Sequence, residues 1–450
     1  MSVVTTDAYR EVAEAAWVWV LDHVREVDGP WLPESVIDGW EDAGPAADRD
    51  SMYAGIAGLA PVLAEIAHSR PLTDAESRLA IGIAERLSTM AATRTEASLY
   101  DGLAGDATAL RMLAPVHVPV VMHRLAELAT RDGWVTTFVG DGPQQFWSDV
   151  VMGTAGVVMA ATWVGGEEAK PIALTGCEAL LKAADRTPAG LDWGSWPGAP
   201  SRGPNYSHGT AGIASALAVA GATYGRPDLV DAAVLGAQHL LEVGTLDDGG
   251  FVVPHTIPAS KRDVEPITYS WCHGPTGTSH LFAALAHAGV TEVGGLGVDD
   301  LRRRCFRSVL DSGVPQRLRP GFWDNDGRCC GTAGVGDALL DGAQDAPGAA
   351  EAGELLAAAQ LMGDALVERS IRVEDRAFWR FIEHRQDPPL LPPGTSWMQG
   401  AAGIAAFLLR LARVTDDGQD APVVDRPDEW WAVPASLRRS STPARFLDVM

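Results

Sequence analysis

At 450 residues, with 46% hydrophobic and 21% charged side chains, the chain has material for a large buried core and is not a disordered polypeptide. Thirty-five basic residues against 59 acidic ones leave a formal charge of −24, which argues against a nucleic-acid partner, since phosphate binding needs clustered Lys and Arg. Five cysteines, an odd number with two adjacent in sequence, argue against a disulfide framework and for a reducing, cytoplasmic setting.

Residues 1–21, MSVVTTDAYREVAEAAWVWVL, have no basic run before their apolar stretch and read as an amphipathic helix, not a signal peptide. At Gly55 a pattern begins that recurs through the chain: Gly-x-x-Gly opening an Ala-rich or Leu-rich segment. Copies start at Gly55, Gly102, Gly153, Gly209, Gly274, Gly331 and Gly400, with 47 to 69 residues between successive starts, room for two helices and their loops. After Gly55, Leu59, Val62, Leu63 and Ile66 fall on one helical face, so each glycine pair is expected at a helix start. Between the first two copies, TDAESRLAIGIAERL predicts a second helix with a Thr73/Glu76 capping box and Leu79, Ile83 and Leu87 at every fourth position. The longest uncharged run, Val150 to Gly165, is too short and too Gly-rich for a membrane span. GGFVVPH at 249–255 and FWRFIE at 378–383 are the best strand candidates, and both fall in loops. Beyond residue 415 the repeat ends in a Pro-rich, charged tail with Trp430 and Trp431, expected on the outside or mobile. The expected organisation is one domain over 1–415 and a tail over 416–450. Seven helix pairs fit an open solenoid or a closed double ring, and periodicity does not choose between them.

The residues just before the glycines carry the chemistry, because loops at the mouths of successive helices converge. The informative stretches are WSDVVMGTAG with Asp149, NYSHGTAG with His208, SWCHGPTG with Cys272 and His273, and GRCCGTAG with Cys329 and Cys330. If the repeats are equivalent, Cys272, Cys329 and Cys330 lie at one end of neighbouring helices. They would supply three soft ligands for zinc at about 2.3 Å, leaving one position open, as in catalytic sites. Cys177 and Cys305 read as inert core thiols. His208 is placed to act as an acid or base. Asp149 could orient it or simply cap a helix. His273 fits a fourth ligand, a proton donor or a group behind the ligands. His280 and His287 read as packing or surface residues. The loops LDWGSWPGAPSRGPNY and LRPGFWDNDG either line a bowl above the site or anchor themselves through their tryptophans.

In order and spacing these four motifs resemble those of the LanC-like lanthionine cyclases, over Gly55 to Gly403. The resemblance implies an all-α, α/α toroid of seven inner and seven outer helices with zinc at the centre of one end. It implies Cys272 as first ligand and Cys329 as second, with Cys330 replacing the usual histidine. His208 and Asp149 match the family's active-site pair. An active-site arginine is often found four residues before the first ligand, where this chain has Thr268, with Arg262 nearby. The implied reaction is Michael-type addition of peptide cysteine thiols to dehydroalanine or dehydrobutyrine, closing thioether rings. The implied partners are a dehydrated precursor peptide and a separate dehydratase or kinase/lyase. Transfer of glutathione to dehydrated residues, a zinc-dependent prenyltransferase-like activity, an α/α-ring glycosidase and a scaffold with a structural metal are the alternatives.

Overall fold

The computed structural model describes residues 5–37, 41–137, 145–247, 249–260, 265–316, 325–384 and 386–439. Fourteen α-helices are present among them: α1 (Thr6–Asp22), α2 (Leu59–Ser69), α3 (Asp74–Met90), α4 (Leu103–Leu113), α5 (Val118–Leu128), α6 (Thr154–Val164), α7 (Gly166–Ala183), α8 (Thr210–Tyr224), α9 (Pro227–Val243), α10 (Pro275–His287), α11 (Val298–Asp311), α12 (Thr332–Asp345), α13 (Ala349–Arg369) and α14 (Ala401–Asp417). Each even-numbered helix packs against the next, and α14 packs against α2, so the choice between solenoid and ring falls to a closed ring. The odd-numbered helices form a second ring outside it, in which α1 is the outer partner of α14.

Composition explains which helix lies where. The inner helices are buried all round: every residue from Thr210 to Gly221 of α8 and from Ala401 to Val414 of α14 is buried, and most of them are apolar. The outer helices bury one stripe only. In α3 that stripe includes Leu79, Ala80, Ile83, Ala84 and Leu87, beneath the Thr73–Glu76 capping box. Strands among the described residues are two to four residues long, pair only in twos and lie in the loops. Gly250–Val252 and Arg380–Ile382 fall where the sequence suggested strands, while Arg376–Phe378 lies just ahead of the suggested 378–383 stretch and shares only Phe378 with it.

Gly102, Gly153, Gly209, Gly274, Gly331 and Gly400 are the N-caps of α4, α6, α8, α10, α12 and α14, while Gly55 opens a short 3₁₀ turn leading into α2. The second glycine of the motif makes room for the neighbouring repeat. A Cβ on Gly277 would fall 2.6 Å from the Cβ of Tyr206, and one on Gly58 would fall 2.7 Å from the Cβ of Trp397 across the ring closure.

The residues two places before each first glycine are joined by backbone hydrogen bonds that run right round the ring. Tyr53 N–H donates to Tyr100 (2.8 Å), Tyr100 to Val151 (3.3 Å), Val151 to Ser207 (3.3 Å) and Ser207 to Cys272 (3.0 Å). Cys272 then donates to Cys329 (3.2 Å), Cys329 to Met398 (2.8 Å) and Met398 back to Tyr53 (3.3 Å). This belt satisfies buried backbone groups that no helix can serve, and it fixes the seven turns at one level.

Candidate metal centre and acid-base pair

Two neighbouring links of the belt are Cys272 and Cys329, so the turns before α10 and α12 bring their thiols to one point. Cys272 Sγ lies 3.4 Å from Cys330 Sγ, and Cys330 Sγ lies 3.3 Å from Cys329 Sγ. The three ligand atoms all lie within 4.8 Å of one another, and each residue is buried. Sulfurs around a tetrahedral zinc, with bonds of about 2.3 Å, sit about 3.8 Å apart, so these two pairs need only spread by roughly a few tenths of an ångström to become a ligand set. Charge points the same way. Cys329 is held well below the usual thiol range by hydrogen bonds from Cys272, Cys330 and the Tyr53 hydroxyl. Burial pushes Cys272 up, and its two thiol neighbours push Cys330 up. The cluster alone favours one thiolate, and three need a cation between them. The donor set therefore fits zinc. All five cysteines are free, and burial pushes Cys177 up to about 12, as an inert core thiol requires.

The position four residues before the first glycine holds the turn. Ser51, Ser98, Asp149, Asn205, Ser270 and Ser396 each accept from a backbone N–H three residues on. Asp149 does so with Oδ1 (2.7 Å from Met152 N), which is the capping role. Its Oδ2 lies 2.8 Å from His208 Nδ1. One carboxylate thus caps a turn and orients an imidazole, because Asp offers a second oxygen where Ser does not. Asp149 is fully buried and 34% of the His208 side chain is open, so Nε2 is the ring nitrogen left for a substrate. Burial works to lower the His208 pKa, but the Asp149 charge and hydrogen bond override it and the net shift is upward.

His273 is not a member of the three-thiol group. Its ring lies 5.7 Å from that of His208 and 4.0 Å, edge to face, from that of His255. Thr268 is buried and Arg262 lies outside the described residues, so no arginine is placed by that motif. Trp193 is buried with Nε1 bonded to Leu180 O, which makes it a loop anchor, whereas half-buried Trp196 packs on Trp147 with centroids 5.0 Å apart. In LRPGFWDNDG, residues 318–324 lie outside the described residues.

Four residues of the site escaped the sequence reading. The Tyr53 hydroxyl meets Cys329 and accepts from Gln399 Nε2 (2.8 Å), so the first repeat reaches the thiols and the seventh holds it there. Asp101, just before Gly102, has its carboxyl pushed up to about 7 by burial and by Asp48 and Glu96. His255 is tied to the His208 turn because Asn205 Nδ2 donates to its carbonyl (3.1 Å) while Asn205 Oδ1 accepts from His208 N (3.0 Å). The register that located the cysteines would have found Tyr53, Asp101 and Gln399. His255 has no such marker.

A family model described as lanthionine synthetase C-like protein matches residues 46–424. Among solved structures, nisin cyclase is similar at 15% identity and a TM-score of 0.56, covering 81% of this chain and 89% of that one. An unsaturated glucuronyl hydrolase from Streptococcus agalactiae aligns over 93% of this chain and 94% of that one, at 10% identity and a TM-score of 0.44, too low to carry weight. No curated protein sequence matches. No helix among the described residues is long and apolar enough to cross a membrane.

Proposed function

The chain belongs to the lanthionine synthetase C-like family, and from that premise we propose that it is a zinc-dependent lanthipeptide cyclase, adding peptide cysteine thiols to dehydroalanine or dehydrobutyrine. The observation that carries this reading is the convergence of three buried thiols beside the His208–Asp149 pair. Cys272, Cys329 and Cys330 would hold the zinc, which when bound would supply a Lewis acid that keeps an incoming thiol ionised near neutrality. Tyr53, itself held by Gln399, and Ser270, 3.2 Å from Cys272 Sγ, hydrogen-bond the ligand sulfurs and set their basicity.

His273 receives the proton that the substrate thiol gives up. The sulfur attacks the β-carbon of the dehydrated residue, forming the C–S bond while the double-bond electrons move to the α-carbon. His208, as imidazolium, delivers a proton from Nε2 to that carbon, and Asp149 Oδ2 holds Nδ1 throughout. Protons lost and gained balance, as an isomerisation of the peptide requires. A dehydrated precursor peptide is the substrate, supplied by a separate dehydratase or kinase/lyase, and holding both reacting ends in one bowl lowers the entropic barrier.

The test is incubation with a dehydrated, cysteine-containing peptide, with and without glutathione. Ring closure removes a maleimide-reactive thiol at unchanged mass. Appearance instead of a glutathione adduct, with the peptide thiol still reactive, would move the chain to small-thiol transfer.

A further inference from the structure

Over residues 418–439 the segment after α14 neither runs along the outside nor stands apart; it enters the ring. Val423–Val424 pairs in parallel with Arg438–Arg439, closing a strap whose tip is residues 426–429. The strap enters at the end away from the thiols. Its base lies at the helix C-termini, where Gln344 of α12 donates to Ala421 O (2.8 Å) and His287 of α10 packs on Trp430 with centroids 5.0 Å apart. Trp431 Nε1 donates to His280 O halfway along α10 (3.0 Å).

The tip reaches the underside of the belt. Tyr100 OH donates to Asp428 Oδ2 (3.0 Å), and Tyr206 OH donates to the Asp428 carbonyl (2.5 Å). Both rings pack edge to face on Trp271, the residue before Cys272, at 5.8 and 5.5 Å. Arg328, the residue before Cys329, bonds Glu429 (3.3 Å) and Asp337 and lies over the Trp397 ring at 4.6 Å. Asp428, Glu429 and Arg328 are each 4% exposed. His280, Asp341 and Glu429 also converge within 4.8 Å, but Arg410 (2.6 Å from Asp341 Oδ1) and Arg426 already neutralise the two carboxylates. A metal ion there would sit beside two guanidinium groups, so we read that trio as part of the strap's ion network.

We propose that the strap braces the metal centre from within: Asp428 and Glu429 are positioning residues that seat the Tyr100–Tyr206–Trp271 layer and Arg328, and so set the spacing of Cys272, Cys329 and Cys330. The proposal rests on the zinc reading for its consequence, yet it concerns the thiols themselves and can be tested without metal.

In the full-length protein, zinc affinity is measured by competition with a chromogenic chelator, and thiol reactivity toward an aromatic disulfide is measured after metal removal. Asp428→Ala and Glu429→Ala are expected to weaken zinc about 10- to 100-fold and to speed thiol modification in the metal-free protein. Asp428→Asn, which keeps an acceptor oxygen, should recover most of the loss, and Asp420→Asn at an exposed site of the same segment should match wild type. Tyr100→Phe, which removes only the hydroxyl, should shift both readouts the same way to a smaller extent and serves if the alanine variants fail to fold. Wild-type affinity and thiol rate in these variants, even with a lowered melting temperature, would overturn the proposal. If wild type itself binds no zinc while thiol rates still rise in the variants, the zinc reading fails and the brace stands.

Discussion

The two faces of the belt gather ionisable groups in opposite ways. Below it, Asp337 takes Arg328, Arg410 at 2.8 Å and Arg426 at 2.8 Å, and Arg410 also reaches Asp341, so each buried charge meets its opposite. Asp337 is accordingly held well below the usual carboxylate range: burial would raise it, but the three guanidinium groups prevail. Above it, three thiols crowd together and, among the described residues, have hydroxyls and one another as hydrogen-bond partners. A balanced buried cluster is finished when the chain folds. A cluster of like groups is finished only by something from outside, which is why the upper face reads as a site and the lower as structure.

The sharpest way to break this contrast is to remove one member from each face. Cys272→Ala should lower zinc affinity on the order of 1000-fold, one ligand's share of a binding free energy of about 10–16 kcal/mol, measured by chelator competition. The same variant should change the unfolding free energy of the metal-free chain by only about 1 kcal/mol. Retained zinc would dissolve the contrast. Asp337→Ala, by strandng three buried guanidinium groups, should cost about 3–5 kcal/mol in urea denaturation. A loss near zero would mean that the lower face is hydrated and not a closed network.

Within the upper face, His208→Gln should cut turnover on dehydrated peptide about 100-fold or more with zinc content unchanged, separating proton delivery from metal binding. Tyr53→Phe removes one hydrogen bond to Cys329 and should weaken zinc about tenfold in the same chelator assay. The smallest effect is on pH. Because the His208 pKa is raised, the imidazolium and its pairing with Asp149 are complete below the ordinary imidazole value and are lost as pH rises through the raised one. Turnover that needs this acid should fall over that alkaline limb, and Asp149→Asn should move the fall to lower pH. A limb that stays in place would remove Asp149 from the role.

The repeat, the helix starts at the glycine pairs, and the register that aligns Cys272, Cys329 and Cys330 were all legible in the amino-acid order. These depend on neighbours three or four residues apart, and caps and apolar stripes record such short-range physics directly. That order also held Asp149 in two readings at once, and both apply in the fold, since one oxygen caps and the other orients. Ring closure belongs to the folded chain alone; it joins Met398 to Tyr53 and brings Tyr53, held by Gln399, to the thiols. The fold also decided that His255 lies against His273 and that the tail fills the ring from within. Those contacts join stretches of chain far apart in sequence, and periodicity carries no term for which distant turn will be a neighbour once hydrophobic helices pack into a closed circle.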